Sequence, residues 1–379
     1  MTPDFVISNV PRLSPFVILL LFYLALCLRT EVSFDRLFAA PALGTMLLFA
    51  GLREVMTPDM ERYKELYHIV IAGNSAEIEP SFIFLSKILN AFGLDYHALF
   101  FAYTLITLVF LYLAISNCTR HIRLALLFYI LIPACFLNLF VEMREVAAIS
   151  IAFYATSILR QDDRKFRFYR VLFFALLSVL FHLSAIAYWA FFCASYGFIK
   201  RRRSIAIHCT ALVLSLVVPT SAVIGLVRVI AYPFLPAKYQ SLINVFLVSG
   251  TTLAEPGQII KSLVYTLMAV CFIIWDSPLP EDDQEHLSVN LFVAGVVLMN
   301  LTRGFGDISR LSYYFLIFQV IIWASPLARI KDRIFRMTAV YGVVLFYLTQ
   351  FLWGLFYFSV EAHDYVFLHY RNVLFSSLQ

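Results

Sequence analysis

Apolar runs long enough to cross a lipid bilayer recur along the whole chain, and stretches such as Ala211 to Val218 are apolar on every face. A membrane-spanning helix needs about 20 such residues. A membrane barrel reads instead as alternating segments of roughly ten. The pattern therefore predicts an all-α, polytopic helical bundle. With 61% hydrophobic and 14% charged residues over 379 positions, an ordinary soluble domain is excluded. The length suits a single integral membrane domain over 1–379.

About twelve transmembrane helices are expected, with cores near 13–28, 37–52, 96–117, 122–141, 145–160, 170–182, 184–199, 204–222, 258–275, 287–302, 311–326 and 337–358. The cores at 37–52 and 170–182 are short, as helices are where protein covers their ends. The run from Ser14 to Leu28 follows Asp4 and Arg12 without a small-residue cleavage site, and reads as a retained span. Six scattered cysteines with no Cys-x-x-Cys spacing read as small buried hydrophobes. Net charge is only +5, and no basic stripe interleaved with aromatics suggests nucleic acid. The 38 Phe and 21 Tyr fit lipid packing and interfacial placement and imply no cofactor.

Loop charge sets the expected orientation. If the 53–95 connection lies outside, the short inside loops carry 17 of the 29 lysines and arginines, around Arg29/Arg36, Arg120/Arg123, Arg160–Arg170, Lys200–Arg203 and Arg329–Arg336. The acidic loop Glu281-Asp282-Asp283 also falls inside, where acids count for little, and both termini fall outside. The basic loops themselves suit topology and anionic lipid. Glu142, Arg144, His182, Arg303 and Arg310 then share the outside face with Arg53, Asp59, Glu79 and the 223–257 connection. One-sided charge predicts an outward-facing cavity, not a through-pore.

Charge at the edge of a bilayer-buried run costs roughly 2.5–3.5 kcal/mol on insertion scales and is placed for a reason. Arg144 opens a span beside Glu142 and Glu145. The acids suit a helix start, but an arginine there opposes the helix dipole and needs a partner or a task. Its donor fork suits phosphate or diphosphate. His182, with Ser184 two residues on, reads either as a satisfied interfacial histidine or as a proton acceptor for a sugar hydroxyl. His68, His97, His121 and His208 lack comparable neighbours and read as structural. The loop Arg303-Gly304-Phe305-Gly306-Asp307-Ile308-Ser309-Arg310 reads either as a polar turn with an internal ion pair or as a Gly-rich anion cradle. It is no Walker A pattern and implies no nucleotide. The 53–95 segment holds Arg53, Asp59, Tyr63 and Tyr67, then Glu79-Pro80-Ser81-Phe82, and turns amphipathic from Phe82 to Phe92, as an interfacial helix does. Its mixture of acids, tyrosines and arginines suits carbohydrate and plain interfacial anchoring equally.

In this order the motifs resemble the EpsG-like branch of bacterial O-antigen and exopolysaccharide polymerases, the Wzy-type proteins. The resemblance rests on Arg53, Asp59 and Tyr63 after an early span, on Glu79-Pro80-Ser81-Phe82, and on Arg144 ahead of Ala147-Ala148. It continues in Phe181-His182-Leu183-Ser184 and in Arg310-Leu311-Ser312-Tyr313-Tyr314, and so runs from about residue 50 to 330. Two positions depart from it: Glu145 stands where the family prefers glutamine, and Thr57-Pro58-Asp59 replaces a Gly-x-Asp element.

The resemblance implies a GT-C-like, metal-independent glycosyltransferase of the bacterial inner membrane. It would work on the periplasmic face and join undecaprenyl-diphosphate-linked repeat units, with a separate chain-length regulator as partner. On that reading Arg144, Arg303 and Arg310 neutralise the leaving diphosphate, His182 or Glu142 is the base, and Arg53, Asp59, Tyr63 and Glu79 bind substrate. Rival readings are a lipid-linked oligosaccharide flippase, which would spread charge to both faces, and an O-antigen ligase, which shares the donor. A scaffold or an acyltransferase accounts less well for several outside-face arginines.

Overall fold

The computed structural model describes residues 10–27, 35–74, 78–160, 166–230, 240, 256–276, 285–303, 306–361, 367 and 370–374. Most of the 223–257 connection and the acidic loop at 281–283 lie outside them. Among the described residues every regular element is helical, and the only strand-like pairing is an isolated bridge between Arg53 and Asn372. The longer helices are α1 (Ser14–Cys27), α2 (Asp35–Gly51), α3 (Pro58–Ile71), α4 (Pro80–Ala91), α5 (Tyr96–Cys118), α6 (Ile122–Leu131), α7 (Met143–Ser157) and α8 (Arg167–Phe181). They continue as α9 (Ala185–Ile199), α10 (Ile205–Val217), α11 (Thr220–Ile230), α12 (Pro256–Asp276), α13 (Glu285–Leu301), α14 (Gln319–Arg329) and α15 (Arg333–Glu361).

Helices stand at all twelve expected positions, but their lengths correct the count of spans. Among the described residues three are long and apolar enough to cross a bilayer: Tyr96–Cys118, Gly257–Ile274 and Arg333–Leu355. A fourth is gained if Ile122–Leu131 and Pro133–Val141, bent by 84°, form one broken span. Six further apolar helices are only 10–17 residues long. At 1.5 Å per residue, fifteen residues rise about 22 Å, short of the ~30 Å hydrocarbon core. Hydropathy sums side chains and does not see where the backbone breaks. The break within 122–141 has a local cause. Pro133 has no amide proton to donate, and it holds Ile132 in an extended conformation (φ −85°, ψ 108°). A Cβ on Gly354 of α15 would lie 3.1 Å from the Pro133 ring, so α15 closes directly on this bend.

The chain forms two compact units, 1–185 with 323–379, and 186–322. In the first, α7 is the central helix and packs along α5 and α8. Its buried Ala147, Ala148, Ser150, Ala152 and Ala155 allow that close approach. The predicted surface segment at 53–95 is a helical hairpin in which α3 packs on α4. Thr57 caps α3 by accepting from the Met60 amide at 3.0 Å, and Pro58 fills the first turn. Both helices stop at glycines in the left-handed region, Gly73 (φ 92°) and Gly93 (φ 71°). There Asn74 N bonds back to Ile69 O and Leu94 N to Leu89 O. The C-terminal stretch returns to the end of α2: Val373 N bonds Leu52 O, Glu54 N bonds Arg371 O, and the Tyr370 ring stacks on Phe49 at 4.4 Å.

In the second unit, α13 packs against α10 and α12, and buried amides link the helices. Asn290 donates to the carbonyls of Ile199 (2.6 Å), at the end of α9, and Arg201 (2.9 Å), just past it, and its Oδ1 lies 2.7 Å from His208 Nε2. Asn300 donates to Ser215 and Thr266, each at 3.0 Å. Gly295 admits the chain at Phe315: an added Cβ would stand 2.7 Å from Phe315 Cβ and 3.1 Å from Leu316 N. Gly295→Ala is expected to cost about 1–3 kcal/mol and lower the unfolding temperature of the detergent-solubilised protein. Gly197→Ala, which meets nothing within 4 Å, leaves that temperature unchanged or raises it. Equal midpoints for the two variants contradict the close approach.

Candidate functional site

The site grows from three places where helices begin or end in the first unit. Helix α4 starts at Glu79, with Pro80 in its first turn. A residue in that position normally caps its helix, but the Glu79 side chain makes no capping bond. Its Oε2 instead accepts from Arg144 Nη1. Arg144 lies in the first turn of α7, just after a backbone turn at Glu142 (φ −120°, ψ 54°). His182 is the extended residue that ends α8, and its Nε2 lies 4.0 Å from Glu79 Oε1. One carboxylate thus stands between an arginine and a histidine that are 38 residues apart in sequence. The three side chains are 16%, 20% and 24% exposed for Arg144, Glu79 and His182, shielded enough to strengthen charge interactions yet open to a ligand.

Aromatic rings form one wall. The Arg144 guanidinium sits 4.9 Å from the centre of the Tyr63 ring and 5.7 Å from that of Phe82. From Phe82 the wall continues to Tyr103, whose hydroxyl lies 3.1 Å from Ser81 Oγ, and on to Phe181 beside His182. Burial pushes the Tyr63 phenol up to about 12 against the pull of Arg144, with Asp59 and Glu142 adding to the rise. The phenol therefore stays protonated as a donor at neutral pH. A second set of bonds leads away from His182: Nδ1 is 2.6 Å from Ser184 Oγ, and Ser184 donates to Glu145 Oε1 at 3.3 Å.

Of the residues expected from sequence, the structure brings together Arg144, Glu79, His182 and Tyr63, with Asp59 and Glu142 near enough to act on Tyr63. Glu142 is 7% exposed, and Glu145 is 6% exposed. Arg53 is held within the fold. It is fully buried, with Nη1 donating to Ala50 O and Thr104 Oγ1 (3.3 Å) and Nη2 to Leu139 O (3.0 Å), between the Phe100 and Phe140 rings. Burial lowers its pKa to about 10, still a cation at neutral pH. These donors tie the end of α2 to α5 and to the turn ahead of α7, so the fold itself engages the Arg53 side chain. Arg53→Met leaves those acceptors unmet, at about 1–3 kcal/mol each. The yield of monodisperse protein is expected to fall several-fold. Full yield with loss of activity would return Arg53 to the substrate.

Arg303 and Arg310 belong to the second unit. Arg303 Nη2 donates to Leu216 O at 2.8 Å, and its own carbonyl accepts from Thr220 Oγ1 at 3.2 Å. Arg310 opens a short 3₁₀ turn. Residues 304–305 of the 303–310 loop lie outside the described set. Sequence reasoning missed the pairing of Glu79 with Arg144 and the link from Ser184 to Glu145. A carboxylate in a cap position with proline next to it was the available signal for the first, and the polar pair His182/Ser184 for the second.

The fold and site define an integral membrane protein with a half-open arginine–carboxylate–histidine cluster. A model of the EpsG family matches residues 36–372, and the chain belongs to that family, a Wzy-like polymerase family. No curated protein and no solved structure matches it. Membership suggests a polysaccharide polymerase-like, glycosyltransferase-like role on lipid-linked sugars.

Proposed function

We propose that the protein joins oligosaccharide repeat units carried on undecaprenyl diphosphate, at the periplasmic face of the inner membrane, by glycosyl transfer with lipid diphosphate as leaving group. The observation that carries this reading is the coupling of Arg144 to His182 through Glu79 on one half-open surface. The acceptor hydroxyl attacks the anomeric carbon and loses its proton to His182. The bond from that carbon to the diphosphate oxygen breaks, and its electron pair leaves with the diphosphate. Arg144, its charge already placed and partly shielded from water, stabilises that developing charge. Arginine neutralisation supplies what the leaving group needs without a metal ion in the scheme. His182 suits the role of base better than Glu142, which is far less exposed.

Glu79 has two tasks in this scheme. It holds Arg144 before substrate arrives and yields it to the diphosphate. It then faces the imidazolium formed on His182 and stabilises it. Among the described residues the buried Arg144 Nε has no hydrogen-bond partner, and Glu79 engages the guanidinium through Nη1. An anion with more acceptor oxygens is the better partner. Tyr63 and Phe82, both buried, back the Arg144 guanidinium and hold its charge in place. The test uses purified full-length protein in lipid nanodiscs, given lipid-linked repeat units extracted from a strain lacking the chain. Mass spectrometry should find lipid-linked dimers and longer species together with free lipid diphosphate. Unchanged single units after prolonged incubation contradict the proposal.

A further inference from the structure

Glu145 and Ser184 have no task in the reaction as drawn so far, yet their bonds lead directly to the base. Glu145 is 6% exposed, and as a carboxylate it can only accept hydrogen bonds. The Ser184 hydroxyl has one proton, and the 3.3 Å contact to Glu145 Oε1 directs it there. Ser184 Oγ is then the acceptor in the 2.6 Å contact with His182 Nδ1, so the ring proton belongs on Nδ1. The Ser184 amide also lies 3.4 Å from Nδ1, but that longer contact requires the opposite tautomer and takes the hydroxyl proton away from Glu145. With Nδ1 protonated, the lone pair stands on Nε2, the atom that faces Glu79 at 4.0 Å.

We infer that Glu145 and Ser184 are positioning residues that fix the tautomer of His182 and present Nε2 as the basic atom toward Arg144 and its ligand. This rests on the glycosyl-transfer reading for its purpose, though not for its geometry. Among the described contacts, the ionisable groups that face His182 are Glu79 of α4, which also holds Arg144, and Glu145 of α7 through Ser184, with Tyr103 of α5 packed on the neighbouring Phe181. Glu145 reaches the ring through the Ser184 hydroxyl, on the Nδ1 side. Its charge favours the imidazolium, so neutralising it makes His182 easier to deprotonate.

The experiment has two arms. In the first, histidine-¹⁵N-labelled full-length protein in nanodiscs is observed by NMR, with His182 assigned by subtracting the His182→Gln spectrum. The wild type and Ser184→Thr should show the Nδ1–H tautomer, and Ser184→Ala a mixture or the opposite one. In the second, pH–rate profiles are recorded with the extracted lipid-linked repeat unit. Glu145→Gln keeps an acceptor for Ser184 but not the charge, so the acid limb should move to lower pH by on the order of one unit. Ser184→Ala should lose roughly 10- to 100-fold in kcat with KM little changed, and Ser184→Thr should restore it. An Nε2–H tautomer in the wild type, or a Ser184→Ala spectrum identical to it, overturns the inference whatever the activity. An unmoved acid limb in Glu145→Gln overturns the part assigned to its charge. Absence of transfer by the wild type with the expected tautomers in place refutes the glycosyl-transfer reading and leaves the positioning geometry standing.

Discussion

Arg144→Ala is expected to abolish long polymer while the protein still folds and inserts. The guanidinium is bonded to Glu79, and it lies against Tyr63 and Phe82 where water is partly excluded. Removing a placed donor from a developing oxyanion costs about 10²–10³-fold in rate, and a full charge on a phosphoryl leaving group is worth more, up to ~10⁵-fold. Loss on the order of 10³-fold or greater is therefore predicted. Arg144→Lys keeps the charge but not the planar fork, and should retain a small residue of activity. Because the alanine variant strands the Glu79 carboxylate, membrane levels should be checked by immunoblot, with Arg144→Ala/Glu79→Gln as the relieved control. Normal-length polymer from Arg144→Ala at native expression contradicts the role given to Arg144.

His182→Ala carries the second large effect. A positioned base contributes typically 10²–10⁴-fold, and transfer should fall by that order with donor binding preserved. The side chain ends a helix and is not part of a dense core, so the cost to folding is small. Retention of the lipid-linked unit by His182→Ala, and its loss from Arg144→Ala, separates base from anchor. Equal loss of binding in both variants contradicts that division.

The sequence marked this site because polar residues stand out against apolar runs, and Arg144 and His182 were legible for that reason alone. Their connection was not. Glu79 lies 65 positions before Arg144, and a local pattern carries no record of such a pairing. Ser184 and Glu145 are 39 positions apart, so Glu145 read as an acid at a helix start and a departure from the family's glutamine, with no link to His182. The same reasoning that found Arg144 also selected Arg53, whose donors reach the Ala50 carbonyl near the end of α2 and the Leu139 carbonyl ahead of α7. Charge inside an apolar chain signals a demand for partners, and whether backbone or ligand meets it is decided by tertiary packing. The helical class followed from composition and periodicity. The number of crossings did not, because breaks such as that at Pro133 interrupt runs that hydropathy treats as continuous.

The central claim is that this chain extends lipid-linked glycan through Arg144 and His182. The most direct measurement is the surface-polysaccharide ladder of a strain lacking the chain, resolved by gel and complemented with wild type, Arg144→Ala or His182→Ala at native expression. The account predicts single-repeat capped product without the long ladder in the deletion strain and in both variants, and the full ladder with wild type. Loss of even the single repeat from the surface, with lipid-linked units accumulating, would contradict it and assign the chain to flipping or ligation.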